Sequence, residues 1–178
     1  MNDTGLLNVG AVQDNVNVFF NTVWVGCGSG IALYLNGGYQ TGTSFSTSTL
    51  TTGVRIQGCE VILSDTYGLL HADAELIIQV SNDAGSSFSS GISTGALGTS
   101  SPAPDRILGS SSNLWGLDWD GFTNLANLHV KATGGGGQTA ASDCVKIKIY
   151  YQDPLSSLGK LHIKSGKMSV LSGKVKIT

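Results

Sequence analysis

Apolar and polar residues alternate with a period of two over short stretches between about Val16 and Tyr151. Val54 and Ile56 interleave with Arg55 and Gln57. Leu76, Ile78 and Val80 interleave with Glu75, Ile77 and Gln79, and Val145, Ile147 and Ile149 with Lys146, Lys148 and Tyr150. Successive side chains of an extended chain point to opposite faces, so each stretch predicts a half-buried β-strand. Breakers lie between them: NGG at 36–38, SNDAGSS at 81–87, a Ser- and Gly-rich segment over 91–106, and GGGGQ at 134–138, which reads as a hairpin loop joining two strands. No segment with helical spacing alternates with the strands. The predicted fold class is therefore all-β, an antiparallel β-sandwich of jelly-roll-like type. Residues 91–106 are too many for a tight hairpin and predict a crossing between sheets or a mobile surface loop.

The pattern changes after Tyr151. Pro154 ends the last strand of a sandwich spanning 1–153, and QDPLSSLG supplies a hinge at 154–158. Residues 159–178 then repeat one phrase three times: GKLHIKS, GKMSVLS, GKVKIT. Within each heptad the apolar positions are two apart, Leu161 and Ile163, Met168 and Val170, Val175 and Ile177, so they share one face of an extended strand. Gly recurring every seventh residue beside Ser argues against a coiled coil. Two-residue turns at Ser165-Gly166 and Ser172-Gly173 would pair Ile163 with Met168 and Leu161 with Val170, making every cross-strand pair on that face apolar. Burial of six such side chains falls short of the backbone entropy lost on ordering the piece, so it needs a partner surface. Copies meeting around a three-fold axis, as a homotrimer, are the preferred solution; folding back over the chain's own sandwich is the alternative.

Composition sharpens the class. Charged residues make up 12 % of the 178 residues, against about 25 % in ordinary globular domains, and Ser, Thr and Gly dominate the linking segments. The net charge of −2 hides an asymmetry, because seven of the lysines lie from Lys146 onward against Asp153 alone. Lys146, Lys148, Lys174 and Lys176 alternate with Val or Ile as a solvated strand face would, and no aromatic platform interleaves with them; nucleic acid is not expected as a partner. The N-terminus has no basic segment leading into a long apolar run, and no stretch reaches membrane-spanning length, so neither export by that route nor a membrane partner is expected. Cys27, Cys59 and Cys144 stand at no metal spacing and read as reduced, buried or half-buried thiols.

Catalytic constellations are missing, and no enzyme activity, cofactor or metal is expected. GCGSGIA at 26–32 lacks nucleophile-elbow spacing, and GGGG has no following Lys-Ser or helix to cradle phosphate. Asp118 and Asp120 flank Trp119, with Asp65, Asp73 and Asp83 elsewhere, in a spacing that fits no calcium loop. His71, His129 and His162 are scattered, and the last two should face solvent from strands. Among Trp24, Trp115, Trp119, Tyr34, Tyr39, Tyr67, Tyr150 and Tyr151, the alternation places Trp115 and Trp119 in the core. Tyr34 and Tyr39, beside NGG, are left as candidate contacts for a surface glycan, in an alternative reading as a carbohydrate- or receptor-binding module.

The segment LWGLDWDGFTNLANLHVKATGGGGQTAASDCVKIKIYY, residues 114–151, resembles β-sandwich virion proteins of tailed bacteriophages. In that pattern a W-G-L-x-W strand (Trp115, Gly116, Leu117, Trp119) leads through a polar turn and a Gly-rich loop to an Asp-led strand ending in aromatics (Asp143, Val145, Ile147, Ile149, Tyr150, Tyr151). GVRIQGCEVILS and VSNDAGSSFS are similar to a strand and the turn of the same group, and Lys-punctuated GK repeats resemble its terminal extensions. The resemblance implies a virion location, a structural role of capsid-decoration, neck or tail-fibre type, and capsid or tail proteins as partners. Leu161, Ile163, Met168, Val170, Val175 and Ile177 are then the expected oligomer interface.

Overall fold

The computed structural model describes residues 2–8, 11–18, 33–135, 138–154, 162–164 and 167–169. In chain order its strands are β1 (Asn2–Asp3), β2 (Leu7–Asn8), β3 (Ala11–Val18), β4 (Leu33–Thr43), β5 (Arg55–Ser64), β6 (Tyr67–Gly68), β7 (Glu75–Ser81), β8 (Ile92–Ser93), β9 (Arg106–Ser110), β10 (His129–Gly135), β11 (Ala140–Ser142), β12 (Cys144–Gln152), β13 (His162–Lys164) and β14 (Lys167–Ser169). All pairings are antiparallel, and the strands before β13 form two sheets.

In the first sheet β12 is central. It pairs along one flank with β5, from Cys144↔Ser64 to Gln152↔Arg55, and along the other with β1 and β2. β9 closes the far side of β5. In the second sheet β4 has β3 on one flank and β10 followed by β11 on the other. β7 continues outward from β10 and β6 from β11, and β8 returns beside β7.

The alternation read from the sequence sets the inward faces. Val145, Ile147 and Ile149 of β12 and Cys59, Val61 and Leu63 of β5 meet Leu35, Leu76, Ile78, Val80, Val130 and Ala132 of the second sheet in one buried cluster. Burial of each large aliphatic side chain contributes about 1.5–3 kcal/mol gross, and this is what holds the sheets face to face. The rhythm slips in β5. Gln57 is an extra residue opposite Tyr150/Tyr151, a bulge that lets Ile56 and Cys59, three apart, both point inward. Gly58 has to be glycine there, since a Cβ would stand 2.3 Å from the backbone carbonyl carbon of Ser111.

Four local expectations are corrected. NGG does not break the chain but lies inside β4, where the neighbour on one flank changes from β10 to β11 and the register with β3 shifts; glycines suit such an irregular stretch of strand. GGGG is not a hairpin loop, because β10 and β11 follow one another along the same flank of β4 and do not pair together. The W-G-L-x-W segment is no strand. Trp115, Gly116 and Gly121 have φ of 58°, 70° and 72°, and the bonds Leu117 N–H to Leu114 O and Phe122 N–H to Trp119 O close successive turns. Both tryptophans are nonetheless buried, at 4 % and 6 % exposure. His129 does not face solvent either: it is 6 % exposed, because the β7–β8 turn lies over it with Gly85 against its ring.

The 91–106 segment crosses between sheets, from β8 to β9. Leu97 N–H bonds Ala74 O, Gly98 N–H bonds Ala72 O, and Asp65 accepts from the Ser101 hydroxyl and the Ala103 N–H. The N-terminal residues belong to the sandwich as well: Leu7 packs on the core, and Asp3 pairs with Lys148 at 3.2 Å. Of the expected hinge, residues 155–158 lie outside the described residues.

Candidate functional site

Strands β13 and β14 form a sheet of their own, joined to neither sandwich sheet among the described residues. Their register sets Ile163 opposite Met168, His162 opposite Ser169 and Lys164 opposite Lys167, which is the pairing that heptad spacing requires. By register Ile163 and Met168 occupy one directly opposed pair and the two lysines the next. Leu161, Val170, Val175 and Ile177 lie outside the described residues. A lone two-stranded hairpin is marginal in water, and the apolar face calls for a covering surface.

Lys146 and Lys148 of the basic end are engaged with the first sheet's outer face. Lys146 Nζ donates to Ser64 Oγ at 3.0 Å, and Lys148, paired with Asp3, also lies 5.1 Å from the centre of the Tyr150 ring. The Tyr150 hydroxyl donates to Glu60 at 2.9 Å. Desolvation and that bond raise the Tyr150 pKa, while the Asp3 carboxylate raises that of Lys148. These pairings fasten β12 to β1 through Asp3 and to β5 through Ser64 and Glu60, on a partly solvated strand face.

Tyr39 sits half-exposed on the outer face of the second sheet. Lys131 places its ammonium 4.3 Å from the centre of the Tyr39 ring and 5.4 Å from that of Phe88, so one stacking face of this tyrosine is already taken by a cation. Tyr34 contributes backbone pairing to Ala141; its side chain lies outside the described residues, as does Trp24.

The structure does gather part of the dispersed acidic set. Asp83, Asp118 and Asp120 line one cavity of about 350 Å³ together with Asn82, Asn124 and Asn127. The Asn82 side-chain amide, donating to Asp118 O at 2.5 Å, ties the β7–β8 turn to the 114–124 loop. Asp65 and Asp73 lie elsewhere, and no group of three metal-ligating side chains stands close enough to hold an ion among the described residues. Sequence reasoning had the three acids but not their convergence, which depends on a contact across 36 positions.

Asp83 is the most perturbed carboxyl of the set. Hydrogen bonds from the Ser81 hydroxyl, the Ser87 hydroxyl and the Ser87 N–H lower its pKa from 3.8 to about 2. A depressed folded-state value contributes stability above pH 3.8 that is lost as the pH falls towards about 2. The group is exposed, so solvent screening holds the contribution to about 0.5 kcal/mol or less. Urea midpoints should therefore fall more steeply for the native chain than for Asp83→Asn over that interval, with the two curves parallel at higher pH; coincident curves throughout would remove the assignment.

His71 is exposed, far in sequence from buried His129. Cys59 is a buried free thiol, its pKa raised by desolvation and by Glu60. Cys144, expected to be reduced, is disulfide-bonded; Cys27 lies outside the described residues. No helix among the described residues is long and apolar enough to cross a membrane.

These features define a class: a two-sheet antiparallel β-sandwich carrying a separate β-hairpin at its C-terminal end. Comparison with protein-family models, with curated proteins and with solved structures finds no match to the chain.

Proposed function

We propose that this protein is a non-enzymatic structural subunit of a phage virion, of capsid-decoration, neck or tail-fibre type, that assembles as a homotrimer through its C-terminal repeat and docks on other virion proteins through strand faces and edges. The observation that carries the assembly role is the β13–β14 register, which sets Ile163 opposite Met168 on a hairpin that, among the described residues, pairs with no strand of the sandwich. Repeated in the third heptad, the same spacing adds Val175 and Ile177, and three copies of that face closing around an axis would remove it from water. The virion setting rests on the resemblance of residues 114–151.

The test is the solution mass by light scattering. The full-length chain should weigh three times its 18.4 kDa, and a chain ending at Ser157 should be monomeric with an unchanged sandwich circular-dichroism signal. The double substitution Ile163→Asp, Met168→Asp should likewise give monomers. Monomers in all three chains would overturn the assembly role and favour a tail that covers its own sandwich.

A further inference from the structure

The end of the sandwich where β5 and β10 begin and β7 and β12 finish carries a run of connected depressions. The 350 Å³ cavity between Asp83 and Asn127 shares Asp118 and Asp120 with a second of about 200 Å³, which Arg55 and Leu117 also line. Arg55 in turn borders a third of about 240 Å³, formed with Gly53, Gln152, Asp153 and Pro154. Shared lining residues set the three depressions side by side along one rim, which we read as an elongated groove, and the first of them alone reaches the range of about 300–1,000 Å³ usual for small-ligand sites.

The lining selects the ligand chemistry. Carboxylates outnumber the single guanidinium, which disfavours phosphate and sulfate groups. A metal cation is not favoured, since among the described residues no three of the acids stand close enough together to hold an ion. Side-chain amides at Asn82, Asn127 and Gln152 alternate with the acids, and an amide both donates and accepts, as a hydroxyl does. Trp119 and Phe122 stand edge-to-face, ring centres 5.0 Å apart. They are buried at the floor, and with half-buried Leu117 and Pro154 they offer only narrow apolar strips, enough for the C–H edge of a sugar ring but not for an aromatic or lipid ligand. The floor is also fixed: Asp118 Oδ1 accepts the Asp120 N–H at 2.9 Å, and Trp119 Nε1 donates to Leu114 O at 2.9 Å, so a ligand meets polar groups that need little ordering.

We propose that this groove binds a neutral oligosaccharide, with its roomiest subsite in the compartment bounded by Asn82, Asp120 and Asn127. The location differs from Tyr34 and Tyr39, and the binding is independent of assembly through the C-terminal repeat.

The test is calorimetric titration of the full-length chain with cellohexaose, maltohexaose and N-acetylchitohexaose, with heparin hexasaccharide and hexalysine as the anionic and cationic probes. At least one neutral hexasaccharide should bind. Asp120→Ala and Gln152→Ala should each weaken it about tenfold, the loss expected of a hydrogen bond to a charged or fixed polar group, and Asp73→Ala, on the 69–74 turn outside the groove, should bind as the native chain does. Asp120 and Gln152 are exposed, and unchanged melting temperatures identify the variants as folded. Should Asp120→Ala misfold, Gln152→Ala alone decides. No binding of any neutral sugar at millimolar concentration, binding undiminished by the groove variants, or binding of heparin or hexalysine only would each overturn the proposal.

Discussion

Trp115→Ala is expected to lower the free energy of unfolding by about 3–5 kcal/mol, the usual cost of truncating a buried aromatic side chain, read from urea denaturation of the full chain. Two side-chain interactions concentrate the loss at this residue, on a loop that backbone bonds also hold against β5. Its ring is 4 % exposed and belongs to the core cluster. Its indole N–H donates to Cys59 O at 2.9 Å, inside the bulged stretch of β5 where ladder pairing is irregular. Its own N–H bonds Asn113 Oδ1 at 2.7 Å, while Asn113 O accepts the Cys59 N–H at 2.9 Å. Trp115 thus closes the 111–124 loop onto β5 by packing and by hydrogen bonds together. Trp115→Phe keeps part of the packing: a smaller aromatic ring stays, a buried carbonyl loses its donor, and a smaller loss of about 1–3 kcal/mol should remain. Equal losses for Ala and Phe would mean that the hydrogen bond carries the whole effect; a negligible loss for Ala would mean that the loop does not seal the core.

The same residue shows why part of the fold was legible and part was not. In β12 the alternation of Val145, Ile147 and Ile149 with Lys146, Lys148 and Tyr150 survives intact because the strand is central, regular and wetted on one face. Trp115 and Trp119 were assigned to the core correctly and to a strand wrongly. Large apolar residues declare burial whatever the backbone does, whereas Gly116, Asp118, Asp120 and Gly121, the usual turn formers, were the better guide to its path. Glycine runs misled in the opposite direction. NGG inside β4 and the first two glycines of GGGG, at the end of β10, look like turns locally, and only the partner strands reveal that they are extended chain. His129 obeyed the strand period but not the exposure it implied, since the β7–β8 turn folds over that face and nothing near position 129 signals this. The Ile163–Met168 pairing was readable because a short repeat leaves few registers open. The groove was not, because its walls come from the 82–83 turn, the 118–127 loop and the end of β12, which only the folded sandwich brings together.

Gly68→Ala should be the next most damaging single change, at about 3 kcal/mol, the upper end of overpacking costs. An added Cβ would lie 2.0 Å from His71 O and 2.9 Å from the Ala74 side chain. The first is a backbone atom of a turn closed by the Ala74 N–H to His71 O bond, so no rotamer change relieves it. Gly68 also donates its N–H to Gly98 O at 2.6 Å and faces Ala140 across β11. Displacing it would therefore disturb β6, the 71–74 turn and the crossing segment at once. Exposed Leu70, at 78 %, gives the internal control: Leu70→Ala, two positions away on the same turn, removes more atoms yet should change stability by no more than about 0.5 kcal/mol. If Gly68→Ala melted like the native chain, the 71–74 turn would have to move away freely, and the crossing from β8 to β9 would not be anchored there. If it melted early but the Leu70 variant did not, the anchor is the backbone crossing itself, and hydrogen exchange at Leu97 and Gly98, whose amides bond Ala74 O and Ala72 O, should accelerate in step with the loss of stability.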